Sequence, residues 1–221
     1  MTQPIGILGG SFDPVHNGHL HLATTFLKEL DLAELRFVPL NNPAHRTAPL
    51  APSEQRLEML KLTVENHALL KVDDCELQRD EVSYTINTLK LFRKNISDTP
   101  LCMIVGMENF KTLNSWHQWR SLLDYAHIVI ANRPGNDAKK NNNKMDNEMQ
   151  GFMDGHMTKL VTDLHQQPAG YIIRLDIPML DISSTQIRNN FQSDPMSNFK
   201  SESLLPDKVL DFIQTHQLYN N

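Results

Sequence analysis

The sequence predicts an α/β protein: a doubly wound, mainly parallel sheet with helices on both faces. Short apolar runs that read as buried strands alternate with longer segments of helical period, the pattern of a parallel sheet covered by its crossover helices. The runs end on glycine or on turn residues, as strands do where they feed loops. With 221 residues, 40% hydrophobic and 21% charged, the chain has the length and composition of an ordinary globular protein with a proper core.

The elements follow in order. Residues 4–8 (PIGIL) form a short buried strand. From Asn17 to Leu30, Leu20, Ala23, Leu27 and Leu30 recur at helical spacing. Residues 35–40 (LRFVPL) are a second strand, followed by the proline-rich loop NNPAHRTAPLAP. Ser53 is the expected N-cap of the next helix, with Leu57, Leu60 and Val64 on its buried face. A strand over 69–73, a helix over 84–95 through Ile86, Leu89 and Phe92, and the strand LCMIVG (101–106) come next. AHIVIANRPG (126–135) repeats the strand-then-turn pattern. The segment 134–150 is polar, asparagine-rich and without apolar period, and reads as a mobile surface insertion in a single domain spanning 1–221. Right-handed crossovers would gather the glycine-rich turn after the first strand, Gly106 and the Arg133-Pro134-Gly135 turn at one edge of the sheet, where ligands bind in such folds.

A formal charge of −5 argues against general electrostatic binding to nucleic acid or anionic membrane. The two cysteines, Cys75 and Cys102, lack zinc or redox spacing. The stretch MTQPIGILGG has neither a basic n-region nor a long apolar h-region, and no tract approaches the ~18 apolar residues of a spanning helix. A soluble, cytoplasmic protein is the expectation.

Function concentrates in GILGGSFDPVHNGHL (6–20). Four of the nine glycines, Gly6, Gly9, Gly10 and Gly18, fall in the first 18 residues, which points to a tight turn or to backbone lying against a ligand. The P-loop pattern fails because no lysine follows, and the dinucleotide fingerprint fails on glycine spacing. A strand, a turn and a helix N-terminus remain, a natural seat for an anion. His16 just before the helix and His19 in its first turn can donate to phosphate oxygens. As residues alone they also fit a structural pair, or a metal pair for which no third ligand is evident.

The stretch GGSFDPVHNGH resembles the H-x-G-H signature of the nucleotidyltransferase superfamily, and ISSTQIR (182–188) its I-S-S-T-x-[IV]-R element, about 165 residues further on. NPAHR (42–46), SYTINTL (83–89), GMENFKTLNSWHQW (106–119), IANRPG and LLPDKVLDFIQTHQLY are similar to segments of the bacterial nicotinate-nucleotide adenylyltransferases. The resemblance covers nearly the whole chain outside 134–150. It implies a Rossmann-like fold and adenylyl transfer from ATP to nicotinate mononucleotide, giving nicotinate adenine dinucleotide and pyrophosphate, with Mg2+ arriving with ATP.

Carried onto these positions, the resemblance implies His16, His19 and Arg188 as catalytic residues. It implies ATP binding by Gly9, Gly10, Ser11, Phe12, His16, His19, Gly106, Glu108, Ile182, Ser183, Ser184 and Arg188. The acceptor would be held by His45, Arg46, Tyr84, Thr85, Trp116 and Arg133, with Trp116 stacking on a pyridine ring and Trp119 in the core. Asp13 and Pro14 read as turn architecture. Two departures stand out: Glu108 occupies the family's aspartate position, and Asn87 replaces another aspartate. Other acceptors, nicotinamide mononucleotide or phosphopantetheine, and a non-catalytic nucleotide-binding module are the alternatives.

Overall fold

The computed structural model describes residues 2–43, 48–132, 147–178, 180–193 and 204–220. In chain order the main elements are β1 (Ile5–Gly10), α1 (Asn17–Glu29), β2 (Glu34–Pro39), α2 (Ser53–Val64), β3 (Leu70–Val72), α3 (Thr85–Asn95) and β4 (Leu101–Gly106). There follow α4 (Met107–Phe110), β5 (His127–Asn132), α5 (Asn147–His156), β6 (Ile172–Asp176), α6 (Ser184–Ser193) and α7 (Asp207–Thr215). The strands form one sheet in the order β3-β2-β1-β4-β5-β6. β4 pairs in parallel with β1 and with β5, and β5 with β6, from Ile5↔Leu101 through Cys102↔His127 to Ile128↔Ile172. The strand order reverses between β1 and β4, the switch point of a doubly wound, Rossmann-like α/β fold.

The chain divides into two compact units: Met1–Leu8, Phe26–Leu35 and Tyr84–Pro178 make the first, and Gly9–Thr25, Arg36–Ser83 and Met179–Asn221 the second. In the first, every residue of β5 and all of β4 but Gly106 are buried, as a central strand requires. Ile86, Leu89 and Phe92 of α3 add the apolar stripe that the sequence predicts. Gly6 is needed for space, because a Cβ there would stand 2.7 Å from Leu32 Cδ1. The guanidinium of Arg93 gathers five backbone carbonyls, those of Ile96, Ser97, Thr99, Tyr125 and Pro168, at 2.6 to 3.2 Å. Met149 of α5 is buried, and Phe152 meets Trp119 edge-on at 4.7 Å. The end of the expected insertion, residues 147–150, is therefore helical. Its anchor is a single methionine among polar residues, which periodicity does not reveal. Residues 134–146 of that segment lie outside the described residues.

In the second unit, Phe12, Val15, Phe37, Met59, Leu60, Val209 and Ile213 are buried. Two local expectations are corrected here. Pro52, not Ser53, is the N-cap of α2 (φ −53°, ψ 154°), and no side chain caps that helix. The buried face of α2 is Arg56, Met59, Leu60 and Thr63, so Leu60 alone of the three expected residues is fully inside. The rotation follows from Arg56, whose Nε and two terminal nitrogens donate to the carbonyls of Ala51, Ser11 and Leu40 at 3.2, 2.7 and 2.9 Å. Turning Arg56 inward satisfies three buried acceptors at once and shifts the helix face by about one residue.

Candidate active site

The turn after β1 takes its left-handed conformation from a bulky residue and not from a glycine. Gly6, Gly9, Gly10 and Gly18 all lie outside the left-handed region; the residue with φ +48° is Phe12. Its buried ring meets Phe37 at 5.5 Å and His19 at 5.1 Å, both edge-on, so packing holds the backbone where glycine would have gone unaided. The glycines supply clearance. A Cβ at Gly10 would touch the Phe12 ring at 3.0 Å, one at Gly9 would meet nothing within 4 Å, and one at Gly18 would reach His16 Nδ1 at 2.9 Å. Gly18 thus lets the helix start lie against the imidazole.

His16 and His19 are stacked, with centroids 3.7 Å apart and planes 27° off parallel. The His16 backbone N–H donates to His19 Nδ1 at 3.2 Å. A neutral His19 therefore carries its proton on Nε2, where it can donate outward. Burial pushes the His16 imidazole down to about 4. Burial also holds His19 well below the ordinary histidine value, and the adjacent His16 ring adds to the effect. At neutral pH the pair is uncharged. His16 Nδ1 is buried without a hydrogen-bond partner among the described residues. A donor pair of this kind can stabilise charge developing on a phosphate without a standing ion pair.

The two halves of the signature meet inside this unit. Ser184 Oγ donates to the Pro14 carbonyl at 2.9 Å, and Arg188 Nη1 to the Asp13 carbonyl at 2.7 Å. A Cβ at Gly18 would lie 3.6 Å from Ile182 Cβ, placing ISST beside HNGH. Ser183 caps α6: its Oγ accepts from the Gln186 N–H at 3.2 Å, and its carbonyl from Ile187 at 3.1 Å. The first-turn N–H groups of α6 have no intrahelical acceptor and carry the positive end of the helix dipole. Arg188 is largely covered, with a side-chain exposure of 21%, and one arm of its fork is already engaged.

The first unit holds its own group. Tyr84 precedes α3 in an extended conformation and Thr85 is the first helical residue, so the backbone N–H groups and hydroxyl at this start are disposed to receive an anion. The Tyr84 ring lies 4.5 Å from that of His117, which brings the stretch Trp116–Gln118 against the start of α3; Lys90 Nζ donates to Gln118 Oε1 at 3.0 Å. Trp116 is half-buried between two short 3-10 turns and Trp119 is in the core. Gly106 precedes α4, and the exposed Glu108 curls back so that its Oε2 would be 3.4 Å from a Cβ at Gly106. His45, Arg46 and Arg133 lie outside the described residues.

The chain matches the cytidylyltransferase-like family model over residues 7–190. It is 40% identical over 219 residues to a probable nicotinate-nucleotide adenylyltransferase of Aeromonas salmonicida, covering 99% of this chain and 98% of that one. A protein of the same description from Pectobacterium atrosepticum is 41% identical over 220 residues, covering 99% and 100%. The chain belongs to the nicotinate-nucleotide adenylyltransferase family. It is an enzyme of the nucleotidyltransferase class. The fold agrees with that of a Plasmodium falciparum nicotinic acid mononucleotide adenylyltransferase complexed with NaAD, at a TM-score of 0.72 and 18% identity over 99% of this chain and 98% of that one.

Several residues of this enzyme escaped the sequence reading. Asp13 is a buried hub and not merely turn architecture: its carboxylate accepts from the Leu50 and Ala51 N–H groups at 2.8 and 3.0 Å and from the Tyr219 hydroxyl at 2.8 Å. Ser83 Oγ accepts from the Asn41 and Asn42 N–H groups at 3.2 and 3.3 Å, tying down the start of the NPAHR loop. Arg56 had a signal available, since a cation stands in register with Met59, Leu60 and Thr63 at positions i, i+3, i+4 and i+7. Tyr219 closes the segment LLPDKVLDFIQTHQLY, but nothing local names its partner, which is 206 residues away in sequence. Among the described residues no helix is long and apolar enough to cross a membrane.

Proposed function

We propose that the enzyme transfers the adenylyl group of ATP to nicotinate mononucleotide, forming nicotinate adenine dinucleotide and releasing pyrophosphate. The observation that carries this is the neutral, stacked His16–His19 pair set against the capped start of α6 and Arg188. The family relationship supplies the acceptor class. The family match from 7 to 190 runs through both compact units, which supports reading them as a single nucleotidyltransferase domain.

In this mechanism an oxygen of the acceptor phosphate attacks the α-phosphorus of ATP in line. The bond to the bridging oxygen breaks, and its electron pair leaves on pyrophosphate. Rate enhancement then comes from positioning and from donors aimed at the developing charge. His19 donates from Nε2, and His16 lies stacked beside it. The N–H groups of Ser184 and Thr185 and the Nη2 arm of Arg188, whose partner is Thr185 Oγ1 at a long 3.4 Å, hold the leaving phosphates. Gly9 and Gly10 leave room for the triphosphate, with Ser11 and Phe12 shaping the turn, Ile182 lining it and Gly106 with Glu108 serving the nucleoside. Thr85 with the Tyr84 region receives the carboxylate of the acceptor, Trp116 its ring, and His45, Arg46 and Arg133 its phosphate. Among the described residues no three histidine, cysteine or carboxylate side chains converge. Mg2+ would arrive with ATP, its ligands chiefly triphosphate oxygens and water, as is usual for this ion.

The test is pyrophosphate release by the purified protein with ATP and Mg2+, run against nicotinate mononucleotide, nicotinamide mononucleotide and phosphopantetheine. Release with the first alone is expected. Release with another acceptor reassigns the Thr85–Trp116 region, and binding of ATP without release under any acceptor makes the chain a binding module.

A further inference from the structure

Tyr219 lies in the segment after α7, far in sequence from the phosphate-binding motifs. It is nevertheless buried, with a left-handed backbone (φ +66°), and its hydroxyl points at Asp13 Oδ1. Its ring lies 6.4 Å from that of Phe191 on α6, one turn after Arg188. Asp13 is itself buried, and both acceptor sites of its Oδ1 are taken, while Oδ2 carries a single hydrogen bond. Oδ1 takes the Ala51 N–H and the Tyr219 O–H, and Oδ2 takes the Leu50 N–H. Arg188 Nη1 sits 3.7 Å from Oδ2, a long separation for an arginine and a buried carboxylate, and makes its short contact to the Asp13 carbonyl instead.

We propose that Tyr219 is a positioning residue for Arg188: by filling Oδ1 it holds the carboxylate with only Oδ2 near the guanidinium and keeps it from drawing that group into a close, bidentate ion pair. Without the hydroxyl, Oδ1 would retain one donor and one free lone pair, in a buried setting where charge attraction is strong. Rotation of the carboxylate would then offer both oxygens to the Arg188 fork. The Nη2 arm, now held by a long 3.4 Å contact to Thr185 Oγ1, would be drawn away from phosphate, with no effect on how the acceptor binds. The inference rests on the reading of Arg188 as the pyrophosphate clamp.

The experiment compares wild type, Tyr219→Phe, Arg188→Gln and the double variant for kcat, for KM of both substrates, and for melting temperature. Tyr219→Phe removes one oxygen and keeps the ring. It is expected to lower kcat about tenfold, with KM for the acceptor unchanged and the melting temperature within a few degrees. In the Arg188→Gln background the same change should lower kcat less than twofold, because its effect runs through Arg188. Three outcomes overturn the proposal. Unchanged kcat in Tyr219→Phe overturns it alone, provided Arg188→Gln is impaired. An equal drop in both backgrounds shows an independent structural effect. Full activity of Arg188→Gln removes Arg188 from the mechanism and the proposal with it.

Discussion

Gly18→Ala is a demanding test of the histidine geometry, because the substitution adds one methyl group and its consequences can be worked out. The new Cβ would stand 2.9 Å from His16 Nδ1 and 3.0 Å from Cε1. Ordinary contact needs about 3.5 Å, so the ring must move by about 0.5 Å. His16 cannot move alone, being 6% exposed and stacked 3.7 Å from His19. A displacement of about 1 Å in a catalytic group costs on the order of a hundredfold in rate, so half of that predicts a loss of about tenfold. Stability should change little. Replacing glycine by alanine in a helix gains up to about 1 kcal/mol, and the crowding costs about 1–3 kcal/mol. The assay is steady-state pyrophosphate release with saturating ATP and nicotinate mononucleotide at neutral pH, paired with a melting curve. Turnover within twofold of wild type, with an unchanged melting temperature, would refute the claim that the position of the stacked pair sets the rate.

Two further outcomes follow from buried groups. Because the folded His16 pKa of about 4 lies below its unfolded value of 6.5, the unfolded chain binds the extra proton first as pH falls. This contribution to stability is complete above pH 6.5 and is lost progressively on acidification towards pH 4. It amounts to about 2 kcal/mol by pH 5, and His16→Gln should flatten that part of a stability-against-pH curve measured by urea unfolding. Arg56→Met fills much of the same volume but leaves the carbonyls of Ser11, Leu40 and Ala51 without their donor. A loss of about 3 kcal/mol or more is expected in chemical denaturation, and a variant as stable as wild type would show that these carbonyls find other partners.

The sheet was legible because buried strands and amphipathic helices write their periods locally. The meeting of HNGH and ISST was foreshadowed because their residues stand in two short, ordered motifs. The apolar series of α3 and the runs 101–106 and 127–132 needed nothing from outside their own windows. What stayed hidden is polar and non-local. Arg56 turned α2 because its acceptors come from two loops and the end of a strand, and Asp13 became a hub only when Leu50, Ala51, Arg188 and Tyr219 arrived around it. The glycine cluster marked the turn in the sequence, but not how its backbone is held. Tertiary packing of the Phe12 ring lets a bulky residue hold the left-handed position there.

Arg93 has a consequence for the order in which the first unit assembles. Three of its five acceptors lie within 6 residues of it, while those on Tyr125 and Pro168 are 32 and 75 residues away. Helix α3 and the loop after it can therefore close on the guanidinium early, using local carbonyls alone. The Nη2 donors are satisfied only when the segment before β5 and the one before β6 have both docked. One side chain thus reports whether three separately made pieces of chain are all in place. A lysine there, with a single nitrogen at the tip, could not span the same set of acceptors.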